Sequence, residues 1–107
     1  MGPSLAAAGK KGTDAPINVA AGDGSESAYQ RIRKGEFQKV TVAEPLNLQG
    51  WQLVDELNRA MAGEKWSGYL SPLHVVTSDN IEFDGGPDNR FDPGNGYRDE
   101  YKKIWGK

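Results

Sequence analysis

The chain has 107 residues, enough for one domain with one modest hydrophobic core. With 13 basic and 15 acidic residues it offers no basic surface to track nucleic-acid phosphates, and no apolar run approaches the length of a membrane span. Cysteine is absent, which excludes disulfides, thiol nucleophiles and cysteine metal sites. With 36% apolar and 26% charged residues, the composition is typical of a soluble globular protein.

The first half of the chain predicts a helix end, a strand and a helix. The chain starts without the basic and long apolar regions of a secretory signal. Good helix formers at 5–8 followed by Gly9 are typical of the end of a helix, and a domain that opens on a helix end leads us to expect missing upstream chain. Residues 17–21 form a short apolar strand candidate, followed by a glycine turn. Ser25 is suited to cap a helix that extends to Lys34 and stops at Gly35.

The residues that follow predict a second strand, a second helix and a third strand. Residues 40–43 are rich in β-branched side chains and predict a second strand, which Pro45 ends. Asn47 could cap a long helix over 48–62, whose apolar residues follow helical spacing. A third strand is predicted at 73–76.

Alternating helices and strands predict an α/β fold with a short parallel sheet, part of a three-layer αβα arrangement. From Asp84 the chain becomes turn-rich and loses periodicity, with a last short helix over 97–105. We therefore divide the chain into a partial α/β lobe (1–83) and an irregular tail (84–107).

Two acidic residues, Asp23 and Glu44, directly follow the first two predicted strands. Because parallel strands present their carboxyl ends at one edge, where such sheets bind ligands, both are candidate ligand-binding residues. The alternatives are a turn residue for Asp23 and a solvated loop acid for Glu44. A catalytic carboxylate pair, as in glycoside hydrolysis, would need a defined separation and one raised pKa, which no motif indicates.

No other motif indicates catalysis or a cofactor. The one histidine, His74, lies in an apolar strand without a partner, which favours a structural role. The acidic stretch from Asp84 fails the calcium-loop pattern, because Pro93 stands where that loop requires glycine. We therefore expect no enzyme activity, no metal site and no cofactor.

The segments around Asp23 and Glu44 resemble the carboxyl-terminal part of type I periplasmic sugar-binding proteins, the ribose-type solute receptors of ATP-driven (ABC) importers. The resemblance covers residues 1–81, well under half of such a receptor. It is carried by Ala8-Gly9-Lys10, Gly22-Asp23-Gly24, Ile32 to Glu36, Thr41 to Pro45, Gly50, Gly63-Glu64 and Pro72 to Asn80.

The resemblance implies that Asp23 and Glu44 hydrogen-bond sugar hydroxyls. Ribose-type receptors carry glutamine at the position of Glu44, and a carboxylate accepts hydrogen bonds but cannot donate them. This departure leaves the identity of the sugar open.

The implied function is carbohydrate binding as the solute-binding component of an ABC importer, in the periplasm, with a membrane permease as partner of the full-length receptor. Because most of a receptor is absent, we expect a truncated chain that binds sugar weakly or not at all, and exposed aromatics that favour self-association. The alternatives are the effector-binding domain of a sugar-responsive transcription regulator, or a small free-standing α/β interaction protein.

Overall fold

Helices and strands alternate along the described part of the chain, which is residues 2–12, 14, 16–21 and 24–107 of a computed structural model. The elements are α1 (Gly2–Ala7), β1 (Val19–Ala21), α2 (Glu26–Lys34), β2 (Val40–Ala43), α3 (Leu46–Met61), β3 (His74–Thr77), α4 (Ile81–Asp84) and α5 (Tyr97–Ile104). The prediction of a fold that mixes helices and strands is confirmed. The short helix α4 was not predicted.

The bounds of α2 follow from its two caps, as predicted. The Ser25 hydroxyl accepts a hydrogen bond from the backbone N–H of Ala28, three residues into the helix. At the other end Gly35 adopts a left-handed conformation (φ 68°), and its N–H returns to the carbonyls of Arg31 and Ile32. Glycine tolerates this conformation, so the chain can leave the helix here.

The start of α3 differs from the prediction. Pro45 occupies the N-cap position and the helix begins at Leu46, so Asn47 lies inside its first turn. The Asn47 side chain instead donates to Asp92 Oδ2 (3.2 Å), far along the chain. Proline is well suited to a helix start because its fixed φ is already helical and its missing N–H would be unpaired there.

The sheet has the order β1-β2-β3 and is mixed, so the prediction of a parallel sheet is wrong for its third strand. β1 and β2 are parallel, with Val19 beside Val40. β3 is antiparallel to β2, with His74 beside Ala43. The pairing of Ala43 with His74 means that the chain leaves β2 and enters β3 at the same edge.

The connection after α3 explains this reversal. Residues 62–73 do not carry the chain back to the end of the sheet where β2 begins. They return alongside α3 to the end where β2 stops. Gln52 Nε2 donates to the Tyr69 carbonyl (2.6 Å), and Gln49 Nε2 donates to Ser71 Oγ (3.2 Å). A parallel third strand would need a helix that carries the chain back along the sheet, which α3 does not do.

α2 covers one face of the sheet and forms the core with it. The clustered buried side chains are Tyr29, Ile32, Ala43, Val76 and Ile81, with Phe91 packed against them. On the opposite face Val19 and Val75 are both more than half exposed. α3 packs against α5 instead, so α3 does not form the third layer that was predicted for this face.

Aromatic rings and one buried carboxylate hold α5 against α3. Trp51 stacks on Trp105 with ring centroids 5.4 Å apart, and Tyr97 meets Trp51 edge-on. Asp55, which is buried, accepts hydrogen bonds from Trp105 Nε1 (2.9 Å) and Arg59 Nε (2.8 Å). Burial alone would raise the pKa of Asp55, but these hydrogen bonds and the guanidinium charge together hold it below its ordinary value.

The molecule is elongated, measuring 59 × 23 × 16 Å. Its radius of gyration is 17.9 Å, whereas a compact domain of this length has about 13 Å. Among the described residues, no helix combines the length and apolarity needed to cross a membrane. The extended shape leaves many large apolar side chains in contact with solvent.

Gly85 lies against the core, where a larger side chain does not fit. A Cβ atom at Gly85 would lie 2.8 Å from the Ile81 carbonyl oxygen and from the Tyr29 ring. We expect Gly85→Ala to lower the free energy of unfolding by about 1–3 kcal/mol, because the core must shift to relieve this overlap. Urea denaturation measures the loss. Gly94→Ala is the control, since a Cβ there meets no atom within 4 Å, and equal effects at both positions would contradict the prediction.

Candidate ligand-binding pocket

A pocket of about 420 Å³ lies at the edge of the sheet where β1 and β2 end. Gly24 and Ser25, which follow β1, and Glu44, which follows β2, form one side of it. Its lining residues are Gly24, Ser25, Glu26, Glu44, Leu46, Asn47, Asp88, Asn89, Arg90 and Phe91. The carboxyl ends of parallel strands are where sheets of this kind bind ligands.

Glu44, one of the two predicted site residues, lines this pocket. Its side chain is half-buried, and its Oε2 atom accepts a hydrogen bond from Gln49 Nε2 (3.1 Å). Within the described part of the chain Oε1 accepts no hydrogen bond, which leaves it available to a ligand hydroxyl. Asp23, the other predicted residue, lies outside the described residues, so its role stays a prediction.

The tail forms the opposite side of the pocket, which sequence reasoning missed. Asp88, Asn89, Arg90 and Phe91 come from the stretch that was predicted only as an irregular surface loop. The sequence feature that could have indicated this side of the pocket is the run of hydrogen-bonding side chains at 88–90, which is followed by the aromatic residue Phe91. Without periodicity, the sequence could not show where this run would lie relative to the sheet.

Arg33, on α2, holds the tail in place. Its guanidinium pairs with Glu82 and donates to Asn89 Oδ1 (3.0 Å) and to the Gly86 carbonyl (2.9 Å). Planar guanidinium groups with several donors are suited to such multiple contacts. One side chain of the α/β part thereby positions α4 and the loop that carries Asn89.

The Phe91 ring stacks on the imidazole of His74, the first residue of β3, with centroids 4.3 Å apart. This contact anchors the tail at the edge of the sheet. His74 Nε2 also lies 2.8 Å from Asp84 Oδ2, a short contact that is not aligned as a hydrogen bond. Both contacts fit the structural role predicted for His74.

Asp92 connects α3, which contributes Asn47 to the pocket, with α5. Its carboxylate accepts hydrogen bonds from Asn47 Nδ2, Tyr97 Oη (2.8 Å) and Arg98. Burial would raise the pKa of Asp92, but these donors lower it below its ordinary value. Burial and the bond to Asp92 raise the pKa of Tyr97 to about 12, so the phenol keeps its proton at neutral pH.

The pocket lining combines hydrogen-bond acceptors and donors. Carboxylates accept hydrogen bonds, a guanidinium donates them, and amides do both. The aromatic ring adds an apolar surface. In the part of the chain that the structure describes, no three His, Asp or Glu side chains are grouped to hold a metal ion.

Comparison with known proteins gives no family assignment. The chain matches no protein-family model, and no curated protein matches it significantly. The function must therefore be inferred from the pocket and from the motifs that surround it.

Proposed function

We propose that this protein binds a sugar at the pocket formed by Glu44, Asn47 and the 88–91 segment. The observation that carries the proposal is the pocket itself, in which hydrogen-bonding side chains from two directions meet beside an aromatic ring. Its volume of about 420 Å³ lies within the range of small-molecule sites. The role is binding without catalysis.

The local fold supports the resemblance to a periplasmic sugar receptor. The β1-α2-β2 unit is parallel, and the segments that follow β1 and β2 both line the pocket. Asp23 directly precedes Gly24 in the sequence, and we assign it the second acidic contact with the sugar. The antiparallel β3 departs from the predicted lobe, so the resemblance is best supported up to Pro45.

In the context of such a receptor, this chain would supply part of the carboxyl-terminal lobe of a periplasmic binding protein. A second lobe would close over the sugar and bury its remaining surface, which raises affinity. The closed receptor would then deliver the sugar to the membrane permease of an ABC importer.

Ligand-observed NMR against a panel of pentoses and hexoses tests the proposal. We expect weak binding of at least one sugar, abolished by Asp23→Ala and weakened by Phe91→Ala. Asn58→Ala, three helical turns along α3 from Asn47 and outside the pocket lining, is the control and should bind like the original chain. The absence of binding to every sugar, in a sample that circular dichroism shows to be folded, would refute the proposed function.

A further inference from the structure

Two side chains at the start of α3 enter the pocket in orientations that hydrogen bonds behind them fix. Asn47 meets the carboxylate of Asp92, which is ionised at neutral pH and only accepts hydrogen bonds, so the amide nitrogen Nδ2 must face it (3.2 Å). In the same way Gln49 Nε2 occupies Glu44 Oε2 (3.1 Å). The oxygens left for the pocket are Asn47 Oδ1 and Glu44 Oε1, and both accept hydrogen bonds without donating any.

The tail side of the pocket offers hydrogen-bond donors. Arg33 Nε donates to Asn89 Oδ1 (3.0 Å), which occupies the amide oxygen and leaves Asn89 Nδ2 to donate. The neighbouring Arg90 guanidinium also donates only, and it forms no ion pair with any residue that the structure describes. Asp88 adds one carboxylate on this side. Acceptors at one end and donors at the other favour one direction for a polar ligand.

The pocket lining carries more negative than positive charge. Three carboxylates line it, those of Glu26, Glu44 and Asp88, together with the guanidinium of Arg90. Within the described ranges, none of these carboxylates forms an ion pair. The N-termini of α2 and α3 add about half a positive charge each, which offsets only part of the excess. A pocket with this charge favours a ligand that brings positive charge.

We infer that the sugar bound in this pocket is an amino sugar, whose ammonium group donates to Glu44 Oε1 and Asn47 Oδ1. The inference rests on the proposed function and narrows its ligand class. An ammonium group has three donors and no acceptor, which matches two acceptor oxygens that are held in place. Its charge pairs with the Glu44 carboxylate. The sugar hydroxyls at the other end of the ring accept hydrogen bonds from Asn89 Nδ2 and Arg90.

A neutral sugar fits the same pocket with lower affinity. One of its hydroxyls donates to Glu44, but a hydroxyl gives one hydrogen bond where an ammonium group gives up to three. The hydroxyl also leaves the carboxylate without a counter-charge. The attraction of opposite charges at a half-buried site should therefore raise the affinity for the amino sugar about tenfold over that for its parent sugar.

NMR titrations of the chain with matched pairs of sugars test the inference. Glucosamine, galactosamine and mannosamine are compared with glucose, galactose and mannose at pH 6, below the pKa of about 7.7–8.0 of an α-amino group, so that the amine is charged. We expect at least one amino sugar to bind about tenfold more tightly than its parent, and N-acetylation, which removes the charge, to abolish this advantage. No tighter binding in any of the three pairs would overturn the inference.

Glu44→Gln separates the local contact from the overall charge of the chain. It keeps the length of the side chain and its ability to accept from a neutral sugar but removes its charge, so the preference for the amino sugar should fall to within about threefold. Glu36→Gln removes the same charge from an exposed position outside the pocket lining and should leave the preference unchanged. A preference that survives Glu44→Gln, or that falls equally in both variants, would contradict the contact with Glu44.

Salt tests the same contact without a substitution. Because ions screen the attraction between an ammonium group and a carboxylate, the preference should shrink between about 0.05 M and about 0.5 M NaCl, while the affinity for the neutral sugar stays constant. A preference that does not change with salt would contradict the charge pairing. If neutral sugars bind the folded chain and amino sugars bind no better, this inference fails and the proposed function stands; if no sugar of either kind binds, both fail.

Discussion

Trp51→Ala is expected to lower the free energy of unfolding by about 3 kcal/mol, the lower end of the range for removal of a large aromatic side chain. Trp51 contacts the rings of Tyr97, Tyr101 and Trp105, so its removal deprives α5 of its main packing surface. Urea denaturation followed by circular dichroism measures the loss. Limited proteolysis should then cleave the released carboxyl-terminal segment first.

Trp66→Ala is the matched control for this prediction, because it removes the same side chain from an exposed position in the 62–73 connection. We expect a change within about 0.5 kcal/mol, as for most surface substitutions. If the two tryptophan variants lose equal stability, α5 is not held by the aromatic cluster.

Glu44→Ala is expected to reduce sugar affinity at least tenfold. The carboxylate can accept a hydrogen bond from a ligand hydroxyl through Oε1, and a hydrogen bond to a charged group contributes about 1.5–3 kcal/mol. Glu44→Gln, which introduces the residue type that ribose-type receptors carry, should retain binding because the amide both accepts and donates. Isothermal titration calorimetry with the best sugar of the panel measures both variants.

The control for Glu44 is Glu36→Ala, which removes an equally charged, exposed side chain away from the pocket lining. Its affinity should equal that of the original chain. Unchanged affinity in Glu44→Ala would remove Glu44 from the binding site.

Local elements were largely predictable, because their signals lie within a few residues of each other. Ser25 and Gly35 cap the two ends of α2 through contacts to residues three or four positions away. Likewise Val40–Ala43 forms β2 as its β-branched side chains predict. The Asn47 cap was predicted wrongly because Asn47 has a distant partner, Asp92, which no local pattern reveals.

The direction of β3 and the second side of the pocket could not be predicted for the same reason. Both depend on long-range contacts: Gln52 with the Tyr69 carbonyl turns the chain back, and Arg33 with Asn89 places the tail. The alternation of helices and strands favours a parallel sheet only if each helix packs on the sheet. Here α3 packs on α5 instead, and Leu53 and Leu57 on its other side are exposed.

Mapping amide chemical shifts during a sugar titration tests the proposed site most directly. If sugar binds in this pocket, the amide chemical shifts of Gly24, Glu44, Asn89 and Phe91, which line it, should change. A second pocket of about 360 Å³, between α3 and α5, includes Tyr69 and Tyr101 and serves as the internal comparison. Shifts confined to that second pocket, or none with any sugar in a folded sample, would contradict sugar binding at the edge of β1 and β2.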